Sequence, residues 1–169
     1  MKILFLDVDG VLNYKDWGIR HGLVPVPAPY QPTIEHLVKW IDPERVEFVN
    51  EIVKRTGAEV FLSSSTRSDP RMSVVLAQAG LRPKIRGVTP ILQWEVISGS
   101  EGFDYRVYTR VDEIREVLFQ YNPDSFVVLD DMDLDWGELG NYPSFLVKTN
   151  FETGLLRAHV ERAVHLLNL

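Results

Sequence analysis

The sequence predicts an α/β fold: a three-layer, doubly wound, mostly parallel sheet of five strands, with a small Pro-rich flap inserted near the start. Three observations carry this. Short apolar runs recur at Ile3–Leu6, Glu59–Leu62 and Phe126–Leu129, as strands buried on both faces require. Between them lie longer stretches with apolar residues at helical spacing, bounded by start and stop signals. Each of the three runs then ends in a polar cluster: Asp7/Asp9, Ser63/Ser64 and Asp130/Asp131. Strands alternating with helices imply right-handed βαβ units, and those units bring strand ends to one edge of the sheet.

The first strand runs into Asp7-Val8-Asp9-Gly10, where the glycine lets the backbone turn sharply. Residues 13–41 read as an irregular insertion, because the prolines of Val24–Pro32 remove backbone donors and fix φ. Tyr14, Trp17, Tyr30 and Trp40 give it apolar area to pack on the body as a flap. Asp42-Pro43-Glu44 starts a helix, with Asp as N-cap, Pro at the first turn and a stripe of Val46, Val49, Ile52 and Val53; Gly57 stops it. After the second strand, Asp69-Pro70 repeats the start signal, with Met72, Val75, Leu76 and Ala79 on one face. Lys84–Val88 is a short third strand, and residues 91–108 read as loop. A helix over Val111–Tyr121, the strand Phe126–Leu129, a fifth strand at Phe145–Lys148 and a closing helix over Leu155–Leu167 complete the chain. The closing helix has Leu156, Val160, Ala163, Val164 and Leu167 as its stripe. All 169 residues are expected to form one domain, with 13–41 as its flap.

Composition bounds the function. A net charge of −6 argues against a general phosphate-backbone binder, which would carry a basic stripe. With no cysteine, disulfides and thiolate zinc sites are out. The first apolar run is too short for a signal segment or a membrane span, so a cytoplasmic location without membrane contact is expected.

Carboxylates gathered at one sheet edge repel one another, and their pKa values rise unless a cation sits among them. Oxygen-only ligands favour Mg²⁺, which takes few carboxylates and keeps several waters. Asp7, Asp9, Asp130 and Asp131 are the candidate metal ligands. Which of Asp130 and Asp131 is the direct ligand stays open, with Asp131 preferred. Magnesium beside a hydroxyl cluster points to a phosphoryl group, bound by the Ser63 hydroxyl, the Ser64 backbone N–H and the Gly10 turn. Its charge needs a cation: Arg110, at the start of its helix, is the first candidate, with Arg106, Lys84 and Arg67 as rivals.

Other patterns carry less. Asp131-x-Asp133-x-Asp135 begins like an EF-hand loop, but Trp136 replaces the turn glycine and Tyr142 the bidentate Glu, so it reads as a solvated acidic loop. His21, His36, His159 and His165 show no metal spacing; His21 is a candidate for touching substrate, and the last two read as surface or partly buried. Trp94, Tyr105, Tyr108 and Trp136 lie in loops that could ring the site and stack a base, but simple packing is the better account of them.

Asp7-Val-Asp9-Gly10-Val-Leu resembles the first motif of the haloacid dehalogenase (HAD) superfamily, Leu62-Ser63-Ser64 its second, and Val127-Val-Leu-Asp130-Asp131 its fourth in the "DD" form. Arg110 falls near the place of the third motif's Lys or Arg. The nearest variant is the HAD domain associated with Swiss Army Knife RNA-repair proteins. Ser63-Ser64-Ser65-Thr66-Arg67 resembles its second motif, and Val147–Asn150 through Gly154-Leu155 its tail. A Trp commonly precedes the Arg there, and this chain has Thr66.

The resemblance implies a HAD-like Rossmannoid and a phosphatase in which Asp7 is the nucleophile and Asp9 the general acid and base. Ser63 and Arg110 would hold the phosphoryl oxygens, and the Asp9 carbonyl would join the metal. An acid at Asp9 resembles phosphatases and phosphomutases rather than dehalogenases or P-type ATPases. The expected activity is Mg²⁺-dependent hydrolysis of a phosphomonoester, on a small molecule or a nucleic-acid end. The alternatives are a non-catalytic binding module and a phosphotransferase to an acceptor other than water.

Overall fold

The computed structural model describes residues 1–92, 95–99, 102–106, 108–134 and 145–169; for 95–99 and 102–106 it describes the backbone alone. Strand β1 (Lys2–Leu6) lies at the centre of a five-stranded sheet. Around it lie β2 (Glu59–Leu62), β3 (Ile85–Val88), β6 (Ser125–Asp130) and β7 (Leu146–Lys148), in the order β3-β2-β1-β6-β7. Every pairing is parallel, with Leu6 level with both Leu62 and Leu129. The three polar clusters therefore leave the sheet at one height and on one edge.

Alternation along β1 divides the core. Leu4 and Leu6 face one layer, built from α3 (Pro43–Thr56), α4 (Met72–Gln78) and α6 (Arg157–Leu167). Ile3 and Phe5 face the other, where Phe61, Phe126 and Val128 pack under α5 (Arg110–Tyr121) through Val111, Ile114 and Val117. All four β1 side chains are fully buried, and each contributes about 1.5–3 kcal/mol of burial free energy. The result is the three-layer arrangement that the alternation of elements predicts.

The helix signals hold locally. The Asp42 carboxylate accepts the Glu44 N–H, Pro43 occupies the first turn, and Gly57 ends α3 at φ +71°. Asp69 also accepts a backbone N–H, from Arg71, but a 3₁₀ turn at Ser65–Ser68 precedes it and α4 starts at Met72. Thr109 caps α5 reciprocally with Asp112.

Four expectations need correction. Residues 91–108 are not all loop: β4 (Glu95–Gly99) and β5 (Gly102–Arg106) form an antiparallel hairpin apart from the main sheet, with Gly99 paired to Gly102. Those two glycines read as loop signals and mark the closing pair of a hairpin. The segment 13–41 is not irregular throughout, since α1 (Lys15–Arg20) and α2 (Ile34–Trp40) bracket its prolines. Both helices are too short to show a clear period, and Gly18 sits inside the first, against Trp40. Within that segment Tyr14 is buried, whereas Tyr30 is 73% exposed and adds little packed area. The closing helix starts at Arg157 rather than Leu155: Leu156 is its exposed N-cap, and Leu155, just ahead of it, is the residue buried in the core. Among the described residues no helix is long and apolar enough to cross a membrane.

Candidate active site

At the end of β1 the Asp7 N–H continues the sheet by donating to Leu129 O, so its side chain is fixed by the last ladder bond. The Asp7 carboxylate is buried; Oδ1 accepts the Val8 N–H at 2.7 Å and Oδ2 lies 2.8 Å from Arg110 Nη1. The same guanidinium nitrogen reaches Asp130 Oδ2 at 2.9 Å, and Asp130 Oδ1 accepts the Met132 N–H. Arg110 is thus held between two strand ends by the first turn of α5. Asp7, Asp130 and Asp131 each offer an oxygen within 4.8 Å of the others.

Gly10 makes this clustering possible. Its φ is +69°, and a Cβ there would lie 2.4 Å from Asp131 Cγ. The Gly10 N–H donates to Asn13 O and its carbonyl accepts the Thr149 hydroxyl at 2.7 Å. What Gly10 gives the site is the room that Asp131 fills. Thr149 follows β7 and its N–H donates to Asp130 O, so the fifth strand braces both acidic turns. Its strand-end position was a legible signal, the same one that marks Asp7 and Asp130.

Three carboxylates against one guanidinium leave local negative charge. Burial, then the neighbouring Asp130, pushes Asp7 up to about 6, against the pull of Arg110 and a hydrogen bond from Ser64. Burial likewise raises Asp130. A divalent cation relieves this repulsion, and an all-oxygen donor set suits a hard ion. The residues therefore fit a metal.

Asp9 does something different. Its Oδ1 accepts from Asn13 Nδ2 at 2.8 Å, and among the described residues its carboxylate stands outside the three-oxygen group. It lines a cavity of about 350 Å³ between the strand ends and the 13–41 segment.

From β2, the Ser63 N–H donates to Leu6 O, which sets Ser63 level with Asp7. Its hydroxyl is fully buried and has no hydrogen-bond partner among the described residues. Ser64 Oγ bonds Asp7 and shares a contact with Thr66 Oγ1 at 3.0 Å. Thr89, after β3, has a second buried hydroxyl without a partner among the described residues.

Two of the three rivals of Arg110 are placed otherwise. Arg67 is spent on Glu113 and on the carbonyls of Ser64, Thr89 and Pro90. Lys84 is exposed and precedes β3, at the opposite edge of the sheet. The Arg106 side chain lies outside the described residues, as do Trp94, Trp136 and the Tyr105 side chain. Tyr108 is half-buried just ahead of α5. His21 stacks on Trp17 away from Asp9, whereas His36 lines the Asp9 cavity. His159 is half-buried and His165 exposed, both on α6; burial and Arg45 lower the pKa of His159.

Neither the curated proteins nor the solved structures gave a match to this chain. The family model described as the HAD domain in Swiss Army Knife RNA repair proteins matches residues 3–160, from the first residues of β1 into α6. With its strand ends, its acidic pair and nearly its whole length accounted for in that match, the chain belongs to this family of HAD domains.

Proposed function

We propose that the protein is a Mg²⁺-dependent phosphomonoester hydrolase that works through an aspartyl-phosphate on Asp7. The observation that carries this reading is the shared contact of Arg110 with Asp7 and Asp130, with Asp131 in reach of both carboxylates. A buried nucleophile beside a fixed cation is the arrangement that phosphoryl transfer needs. Residues 1–169 act as one domain in this reading, with 13–41 as a flap over the site.

Asp7, Asp130 and Asp131, with the Asp9 main-chain carbonyl, would hold Mg²⁺, which supplies charge neutralisation for the phosphoryl oxygens when bound. The chain's own groups do the rest. An Asp7 oxygen attacks phosphorus, the bond to the leaving oxygen breaks, and the Asp9 carboxyl gives that oxygen its proton. The Asp9 carboxylate then takes a proton from water as the water attacks phosphorus and the bond to Asp7 breaks. Arg110 and the unpartnered Ser63 hydroxyl hold non-bridging oxygens through both steps. Asn13 fixes the Asp9 side chain for its two proton transfers.

The family's description names RNA repair, which supports a nucleic-acid end phosphate as the substrate class. The acidic net charge suits recognition of an end rather than of a long backbone. The test is magnesium-dependent release of phosphate from an aryl phosphate, abolished in Asp7→Asn, followed by comparison of a 3′-phosphorylated oligonucleotide with mononucleotides and sugar phosphates. Release without magnesium, or undiminished in Asp7→Asn, sinks the reading; product that outruns free phosphate marks transfer to another acceptor.

A further inference from the structure

The cavity beside Asp9 has a chemistry that the phosphoryl site does not explain. Its volume, about 350 Å³, is at the small end of the range for ligand sites, roughly 300–1,000 Å³. Tyr14, Trp40 and Phe151 give it aromatic walls, and Leu37 and Met72 add aliphatic ones. Asp9 and Lys15 are the charged groups of the lining. Trp40 and its neighbour His36 are already paired, Trp40 Nε1 donating to His36 Nε2 at 3.0 Å. Indole nitrogen only donates, so Nε2 accepts and the imidazole proton sits on Nδ1. The Tyr14 hydroxyl is likewise spent, on Asp42 and Arg20.

We infer that this cavity receives the leaving group of the substrate, and that the preferred leaving group carries a flat apolar ring no larger than a nucleoside. The inference rests on the hydrolase reading for one step: Asp9 protonates the leaving oxygen, so the departing alcohol lies on the Asp9 side of phosphorus, and Asp9 lines this cavity. A polyol placed there would exchange its water hydrogen bonds for a lining that is mostly apolar, which costs affinity. A ring meets aromatic faces and aliphatic edges instead. Trp40, Leu37 and Met72 then set specificity, and the α2 helix, which carries two of them, is the specificity element.

The test uses esters whose leaving alcohols are of similar basicity, so that intrinsic reactivity does not mask fit: benzyl phosphate, ethyl phosphate and glycerol 1-phosphate. For the wild-type protein with Mg²⁺, kcat/KM for benzyl phosphate should exceed that for ethyl phosphate by about 30-fold, from the added apolar area. Glycerol 1-phosphate should be no better than ethyl phosphate. Trp40→Ala and Leu37→Gln, each checked for an intact thermal transition, should lower the benzyl-to-ethyl ratio severalfold. Binding of benzylphosphonate and ethylphosphonate, which cannot be hydrolysed, is measured alongside. Equal rates for the three esters, or a ratio untouched by both variants, overturns the cavity assignment and leaves the hydrolase reading standing. No hydrolysis of any ester, with benzylphosphonate still bound more tightly and Trp40-dependently, overturns the hydrolase reading and supports the cavity. No hydrolysis and no preference between the phosphonates overturns both.

Discussion

The Arg67 guanidinium lies 2.5 Å from the Glu113 carboxylate, and this buried pair ties the Ser63–Ser64 turn to the helix that carries Arg110. The remaining donors of Arg67 go to Ser64 O, Thr89 O and Pro90 O, so one side chain gathers the ends of β2, β3 and α5. Removing one partner of a buried ion pair leaves an uncompensated charge, typically at a cost of about 3–5 kcal/mol. Arg67→Met should lower unfolding free energy by about that much in urea titrations. Arg67→Lys should rescue little of it, because an ammonium cannot reproduce a planar fork with several simultaneous acceptors. Wild-type stability in Arg67→Met would show that the pair does not organise the turn.

Gly10→Ala should harm metal binding out of proportion to stability. A methyl there meets a backbone φ of +69° and overlaps the Asp131 carboxylate at 2.4 Å. Gly57→Ala is the control, since its φ is +71° but its Cβ meets open space. Both substitutions carry the left-handed backbone cost of about 1–2 kcal/mol. Only Gly10→Ala pushes Asp131 aside, so magnesium affinity by calorimetry should fall at least about tenfold there and stay unchanged in Gly57→Ala.

The raised pKa of Asp7 makes the metal-free protein less stable as pH rises. In the folded chain Asp7 keeps its proton up to about 6, and in the unfolded chain it loses it near 3.8. Between those values the native state binds more protons, so unfolding free energy falls with rising pH, and the loss is complete above about 6. Roughly two pKa units correspond to at most about 3 kcal/mol. In EDTA, wild type minus Asp7→Asn should show this decline across pH 4 to 6.5, and saturating magnesium at pH 7 should restore stability to the wild type. A flat difference would mean that Asp7 is not held in a cation-starved pocket.

Much of this was legible in the sequence because parallel strands are read by simple rules. Ile3–Leu6, Glu59–Leu62 and Phe126–Leu129 are strands in a shared register, and their polar ends meet as the doubly wound pattern requires. Arg110 could be named from its place before an apolar stripe, but only three dimensions separate it from Arg67, whose fate is set by Glu113 and by carbonyls on other segments. The hairpin at Glu95–Arg106 is not legible in the sequence, because a glycine that ends a strand and one that lies in a loop look alike in one dimension. The α2 helix is hidden for another reason. Seven residues carry too little period, and its cap, Thr33 accepting the His36 N–H, follows directly on a proline-rich run.

Ser63→Ala is the substitution that sets function most directly against stability. The Ser63 hydroxyl is fully buried with no partner among the described residues, and a buried hydroxyl left unsatisfied costs about 1–3 kcal/mol. Taking it away should leave the folded protein as stable as before or about 1 kcal/mol more stable. If the hydroxyl is held in reserve for a phosphoryl oxygen, the same change should lower kcat by about a hundredfold, the usual loss of one donor to a developing oxyanion. Ser63→Thr, which keeps the hydroxyl, should recover part of that rate. Ser64→Ala provides the contrast, because its hydroxyl is engaged by Asp7 and Thr66, so stability should fall as well. A Ser63→Ala protein that melts lower but turns over at the wild-type rate would make the hydroxyl structural and remove it from the phosphate site.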